Sequence, residues 1–94
     1  MDKFKEIKKL ATIDIGSNAI RLLISNVIFR ENYPPEATKN ALIRVPIRLG
    51  QDAFTLGRIS NENISRLIDS MNSFKLLMKV HNVEKYLAYA TSAL

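Results

Sequence analysis

The sequence has no cysteine, no tryptophan and one histidine, and it holds three glycines and three prolines among its 94 residues. The absence of cysteine excludes a disulfide scaffold, a thiolate metal cluster and a cysteine nucleophile. Because His81 is the one histidine, a zinc site built on several imidazoles is excluded as well. The hydrophobic fraction of 47% argues against a disordered chain. A chain this short forms one domain at most.

Long hydrophobic runs are also missing. Four lysines within residues 3–9 precede an apolar stretch, an order that is typical of a signal peptide. Asp14, Asn18 and Arg21 interrupt that stretch before it reaches the length of a signal or a membrane span. We therefore expect a soluble, cytoplasmic protein with no membrane partner, in which residues 3–9 form a solvated N-terminal arm.

The charge is positive but spread out. The formal net charge is +5, and the basic residues run from Lys3 to Lys85 without a dense block. Such an excess suits a polyanionic ligand, and a small basic module that binds nucleic acid is one alternative. The aromatic residues are not interleaved with the basic ones as a base-stacking platform requires, so we expect no nucleic-acid partner.

The first half of the chain predicts three strands. Residues 10–15 are mostly apolar and β-branched, and they end at Gly16-Ser17-Asn18, after which residues 19–29 resume a β-rich pattern. A three-residue break between two such runs favours an antiparallel hairpin. A polar loop over residues 30–40 follows, and then an alternating strand over residues 43–49 completes a meander. Pro46 in that third strand predicts an edge position or a bulge.

The second half predicts a crossover. Residues 50–59 contain two of the three glycines and are interpreted as a loop. Apolar residues then recur every three or four positions, which predicts an amphipathic helix over residues 60–81, capped by Ser60 or Asn61. The short apolar strand 85–90 should return parallel to its neighbour. The expected class is α/β with the order β-β-β-α-β, and since one helix covers one face, we expect residues 1–94 to be an incomplete domain.

Chemistry concentrates where the first strand ends. Asp14 lies at the end of an otherwise apolar strand, where a carboxylate is costly unless it is paired, solvated or bound to a cation. The next residues, Gly16-Ser17-Asn18, offer amides and short polar side chains to an anion, and Arg21 adds a planar cation. A carboxylate for hydrated magnesium beside amides and arginine for phosphate is typical of a phosphoryl site. An ordinary polar hairpin turn is the alternative interpretation.

Three segments in a fixed order carry a family resemblance. IDIGSNAIRLLI, RVPIRLGQDAF and YLAYATSAL resemble the start of the exopolyphosphatase and guanosine pentaphosphate phosphohydrolase family. That family is part of the actin, sugar-kinase and heat-shock-chaperone ATPase superfamily. The resemblance implies a ribonuclease H-like, actin-like ATPase lobe that begins with a three-stranded meander, a helix and a parallel strand. A sugar-kinase or chaperone-type ATPase lobe stays open as an alternative, and RLGQD favours the phosphatase.

The resemblance also implies site residues. Carried over by position, the phosphate-binding residues would be Asp14, Gly16, Ser17, Asn18, Arg21, Thr91 and Ser92. Asp14 would in addition lie near a Mg²⁺ cofactor. A plain helix cap is the other interpretation of Thr91 and Ser92. Arg44 and Arg48 are expected on one face of the edge strand, where they would either reach a polyanion or discourage edge pairing.

The implied activity belongs to a longer enzyme. The family's hydrolysis of inorganic polyphosphate or guanosine pentaphosphate needs a glutamate and a second phosphate loop that lie beyond the ATSAL segment. We therefore expect no catalytic residue in this chain. We expect the chain to be an N-terminal fragment that is inactive by itself and whose partner is the rest of its own polypeptide. The open sheet also leaves a homo-oligomer as an expectation.

Overall fold

The computed structural model describes residues 5–91, which form one mixed sheet with two helices. The elements are β1 (Lys5–Ile15), β2 (Ala19–Arg30), β3 (Glu36–Pro46), α1 (Leu49–Leu56), α2 (Asn61–Val80) and β4 (Lys85–Ala90). The sheet order is β3-β2-β1-β4, with β1 antiparallel to β2, β2 antiparallel to β3, and β1 parallel to β4. The predicted α/β class is confirmed, as are the meander, the edge position of the Pro46 strand and the parallel return of β4.

The predicted loop over residues 50–59 is wrong. Most of it forms α1, which ends at Gly57 in the left-handed conformation, with a φ of 68°. The Gly57 amide donates to the Ala53 carbonyl at 3.1 Å, which is the usual way that a glycine closes a helix. The two glycines therefore lie in the first turn and at the end of a short helix, and they do not mark a loop.

Three strand boundaries are also wrong, and each lies nearer the N-terminus than predicted. β1 begins at Lys5 and β3 at Glu36, so the polar loop shortens to residues 31–35 and the third strand ends at Pro46. Lys5, Lys8 and Lys9 accordingly lie in β1 and are not part of a solvated arm, while Lys3 lies outside the described residues.

Cross-strand pairing explains the longer strands. Lys5 lies opposite Arg30, and Glu36 lies opposite Ile28 on the other side of β2. The Arg30 guanidinium reaches the Glu36 carboxylate at 3.4 Å. Ladder hydrogen bonds and polar cross-strand pairs continue the sheet through a segment whose composition alone predicts a loop.

One face of the sheet packs against the helices and forms the core. The fully buried side chains on that face include Ile13, Ile20, Leu22 and Ile24, and Phe74 of α2 packs among them. Because side chains alternate along a strand, the residues between these positions point to the opposite face. Within residues 5–91 no helix has the length and apolarity that a membrane span requires.

Removing the largest fully buried side chain of residues 5–91 should destabilise the fold strongly. Phe74 is 1% exposed, so Phe74→Ala should lower the free energy of unfolding by about 3–5 kcal/mol through lost burial and a residual cavity. Leu76→Ala, at a position that is 64% exposed on the same helix, is the control and should change it by less than about 1 kcal/mol. Urea denaturation measures both. Equal losses would contradict the described packing of α2.

Candidate functional site

A carboxylate and a guanidinium face each other at the end of the β1–β2 hairpin. Asp14 and Arg21 are register partners across the two strands, and Arg21 Nη1 lies 3.4 Å from Asp14 Oδ2. The side chain of Arg21 is 51% exposed and that of Asp14 is 20% exposed. An ion pair at such a surface contributes about 0–1 kcal/mol. The guanidinium can therefore exchange this partner for another anion at little cost.

The end of β4 brings a hydroxyl to the same carboxylate. Thr91 Oγ1 donates to Asp14 Oδ1 at 2.8 Å, and the Thr91 amide donates to the Ile15 carbonyl at 3.1 Å. The parallel pairing of β4 with β1 thus places Thr91 beside Asp14. Ser92, the other candidate from this segment, lies outside the described residues.

The bend between the two strands closes on itself through Gly16. The Gly16 amide donates to the Ala19 carbonyl at 2.9 Å, and a Cβ at Gly16 would lie 3.1 Å from that oxygen. Across residues 5–91 the amides of Ser17 and Asn18 donate to no main-chain oxygen. Asn18 is exposed and Ser17 is partly buried, so the bend lies at the surface. Its two main-chain amides are therefore available as donors to a ligand.

Main-chain hydrogen bonds tie the carbonyls of this bend to the segment after β3. The Ile47 amide donates to the Asn18 carbonyl at 3.1 Å, and the Gly50 amide donates to the Ser17 carbonyl at 2.8 Å. A Cβ at Gly50 would lie 2.8 Å from the Ser17 Cβ. Glycine is therefore required at position 50 by close packing against the bend, which the sequence alone did not indicate.

Asp52 of the RLGQD motif has a structural role. Its Oδ2 accepts from the Ser60 amide at 2.9 Å, the Ser60 hydroxyl at 2.7 Å and the Asn63 side-chain amide at 2.8 Å. Ser60 in turn caps α2, accepting from the Asn63 amide at 3.2 Å. These hydrogen bonds, first from the Ser60 amide and then from the side chains, lower the pKa of Asp52 below 3.8, and Arg58 lowers it further. Asp52 thus links α1 to the start of α2.

The expected placement of Arg44 and Arg48 on one strand face is wrong. Arg44 lies on β3, whereas Arg48 follows the strand and precedes the first residue of α1. β3 ends at Pro46 because the chain turns there to pack Ile47 and Leu49 into the core. Both arginines nevertheless border one surface depression, together with Asn18, Pro46 and Gln51.

The donor set at Asp14 suits a partly hydrated Mg²⁺. In residues 5–91 no three Asp, Glu, His or Cys residues cluster to form a metal cage. Mg²⁺ commonly binds through one or two carboxylates, with waters and substrate phosphates completing its shell. One carboxylate beside the Thr91 hydroxyl fits that chemistry. The binding of Mg²⁺ and phosphate by the sequence-derived residues stays a prediction.

Gly50→Ala should destabilise the fold although alanine favours helices. The added methyl group would press on Ser17 at 2.8 Å, and such overpacking costs about 1–3 kcal/mol. Gln51→Ala, a substitution at the exposed neighbouring position, should stay within about 0.5 kcal/mol of the wild type. Urea denaturation compares the two. A Gly50→Ala protein that is as stable as the wild type would contradict the close contact.

Asp52→Asn should lower the melting temperature in a pH-dependent way. Because the folded-state pKa of Asp52 lies below 3.8, its ionised form stabilises the fold above pH 3.8, and that stabilisation is lost as the pH falls through the folded-state pKa. The difference in melting temperature between wild type and variant should therefore be present at pH 7 and shrink below pH 3.8. Asp69→Asn, at an exposed site on α2, is the control. A difference that stays constant over this range would contradict the described hydrogen bonds from Ser60 and Asn63 to the Asp52 carboxylate.

Comparisons with known proteins agree on one group of enzymes. No family model matches the chain. Exopolyphosphatase 2 from two strains of Mycobacterium tuberculosis is 31% identical over 90 residues. The match covers 93% of this chain and 27% of that protein, so the chain spans about a quarter of the length of these relatives.

Solved structures give the same result for the fold. A Ppx/GppA family member from Aquifex aeolicus superposes with a TM-score of 0.77 and 26% identity, covering 90% of this chain and 26% of that one. An exopolyphosphatase from Cytophaga hutchinsonii superposes with a TM-score of 0.72 and 27% identity, over the same shares of the two chains. The predicted resemblance is therefore confirmed: over about a quarter of their length, this chain matches the exopolyphosphatases and the Ppx/GppA family in both sequence and fold.

Proposed function

We propose that this chain supplies the first phosphate-binding loop of an exopolyphosphatase-type phosphohydrolase. One observation carries the proposal: Asp14, Arg21 and Thr91 meet at the carboxyl ends of the parallel strands β1 and β4. In open α/β sheets this edge is where ligands bind. The substrate would be a condensed phosphate, either inorganic polyphosphate or guanosine pentaphosphate, from which water releases the terminal phosphate.

Arg21 is the phosphate-binding cation in this proposal. Its guanidinium is half exposed and its partner Asp14 lies at 3.4 Å, a weak contact for an ion pair. A phosphate offers two oxygens to the planar fork of a guanidinium, which makes a stronger and more specific contact than this one. The amides of Ser17 and Asn18 add neutral donors at the same bend.

Asp14 is the residue that would hold Mg²⁺. Thr91 donates to Oδ1, which orients the carboxylate and leaves Oδ2 to Arg21. When phosphate draws Arg21 away, Oδ2 becomes available to a hydrated cation. Bound Mg²⁺ would neutralise the charge on the phosphate oxygens.

Binding, not hydrolysis, is the contribution of these residues. Hydrolysis requires a general base that activates water opposite the leaving phosphate, and the family resemblance implies that this glutamate lies beyond the matched segments. Residues 5–91 would therefore bind a terminal phosphate weakly and release none. The guanidinium and the bend position the group that the rest of such an enzyme attacks.

Calorimetric titration of the chain with orthophosphate tests the proposal. Arg21→Gln should weaken binding by roughly 10-fold to 100-fold, the range expected when a charge-assisted hydrogen bond of about 1.5–3 kcal/mol is lost. Asp14→Asn should remove the increase in affinity that Mg²⁺ produces. Lys75→Gln, which removes one exposed charge from α2, is the matched control. Unchanged affinity in Arg21→Gln, or a loss no larger than in the control, would overturn the site assignment.

A further inference from the structure

We infer that a second oxyanion subsite lies beside the proposed loop, in the depression bordered by Asn18, Arg44, Arg48 and Gln51, and that it binds the next phosphates of a linear polyphosphate. We call this depression the arginine subsite. The inference rests on the proposed function, because the Asp14–Arg21 bend is taken to hold the terminal phosphate. It adds a location and a ligand class for the remainder of the chain of phosphates.

Like charges face each other at the border of the two sites. Arg21 and Arg44 are Cα partners across β2 and β3, and both are exposed on the face away from the core. Two cations directly opposite one another destabilise a sheet. Within the described part of the chain, an ion pair reaches Arg21 but neither Arg44 nor Arg48. An anion bound between these guanidinium groups would remove the repulsion.

The lining of the arginine subsite suits an anion. The depression has a volume of about 450 Å³, in the range of small-ligand sites, and none of the residues 5–91 that border it is acidic or aromatic. Asn18 and Gln51 offer side-chain amide donors beside the two guanidinium groups. The Pro46 carbonyl at its rim already accepts from Arg66 Nη2 at 2.9 Å, which offsets its negative dipole. The absence of an aromatic platform favours a phosphate chain over a nucleoside base.

Asn18 joins the two sites. It belongs to the bend that follows Asp14, and it also borders the arginine subsite. The hydrogen bond from the Ile47 amide to its carbonyl, at 3.1 Å, fixes the bend against the segment that carries Arg48. Positive and donor groups therefore continue from Arg21 to its cross-strand neighbour Arg44, and from there to Asn18 and Arg48. A linear polyphosphate, with negative charge on every unit, matches that continuity, whereas orthophosphate fills the first site alone.

Titrations with two anions of different length test the inference. The chain is titrated with orthophosphate and with tripolyphosphate, and the wild type should bind tripolyphosphate more tightly. The double variant Arg44→Gln/Arg48→Gln should lose that preference, with a drop in tripolyphosphate affinity of about 10-fold or more, since charge-assisted contacts are removed. Its orthophosphate affinity should stay within about 3-fold of the wild type. Lys75→Gln/Lys79→Gln removes the same charge from exposed positions on α2 and is the control.

The Arg44→Gln/Arg48→Gln and Arg21→Gln variants distinguish failure of the arginine subsite from failure of the proposed function. If the arginine double variant keeps its preference for tripolyphosphate, or loses no more of it than the lysine control, the arginine subsite is overturned. If Arg21→Gln keeps the wild-type affinity for orthophosphate, the proposed function is overturned. Absence of binding of both anions to the wild type would overturn both proposals. Circular dichroism melting of each variant checks that it is folded before it is titrated.

Discussion

The register between β1 and β2 is the constraint on which the site depends. It places Asp14 opposite Arg21, with the adjacent pair Ile13 and Leu22 fully buried on the other face. A slip of one residue would expose the buried set and separate the carboxylate from the guanidinium. The same interactions that bury the core therefore bring the charged pair together at the edge of the sheet. The β1–β2 register therefore determines both the burial of the core and the geometry of the site.

The RLGQD segment shows how a short motif distributes its tasks. Leu49 is buried in the core, and Gly50 packs against the bend at Ser17. Asp52 accepts a hydrogen bond from the Ser60 amide at the start of α2. Arg48 and Gln51 point instead to the surface depression. Three positions of the motif thus fix the backbone around the bend, and two are left with side chains that can meet a ligand. A motif that carries the family resemblance is, in this chain, mostly a scaffold for the neighbouring loop.

The sequence predicted most of the fold because its signals were local. The apolar residues of α2 recur at a helical period, and Ser60 caps the helix. The predicted and observed bounds of β4 agree because a short apolar run lies between polar residues. The errors lie where tertiary contacts decide. The polar ends of β1 and β3 are strands because they pair with β2, and α1 forms around glycines that close packing and a left-handed cap require.

The candidate site was predictable to the extent that it follows from topology. A parallel return of β4 was sufficient to bring Thr91 to Asp14, and an antiparallel hairpin to bring Arg21 there. The depression beside Arg44 was not predictable, because Arg48 reaches it only after the chain turns at Pro46 to bury Ile47. The roles of Gly50 and Asp52 were missed for the same reason, since both depend on a partner from another element.

Both proposed sites depend on an oxyanion that binds at the bend between β1 and β2. A ¹⁵N NMR titration of the chain with orthophosphate tests it most directly, because each amide reports its own environment. An oxyanion site at this bend should give the largest saturable shifts at the Ser17 and Asn18 amides and at the Arg21 side-chain Nε. Shifts that are larger at lysines of α2 than at the bend, or no saturable shift at the bend, would contradict it.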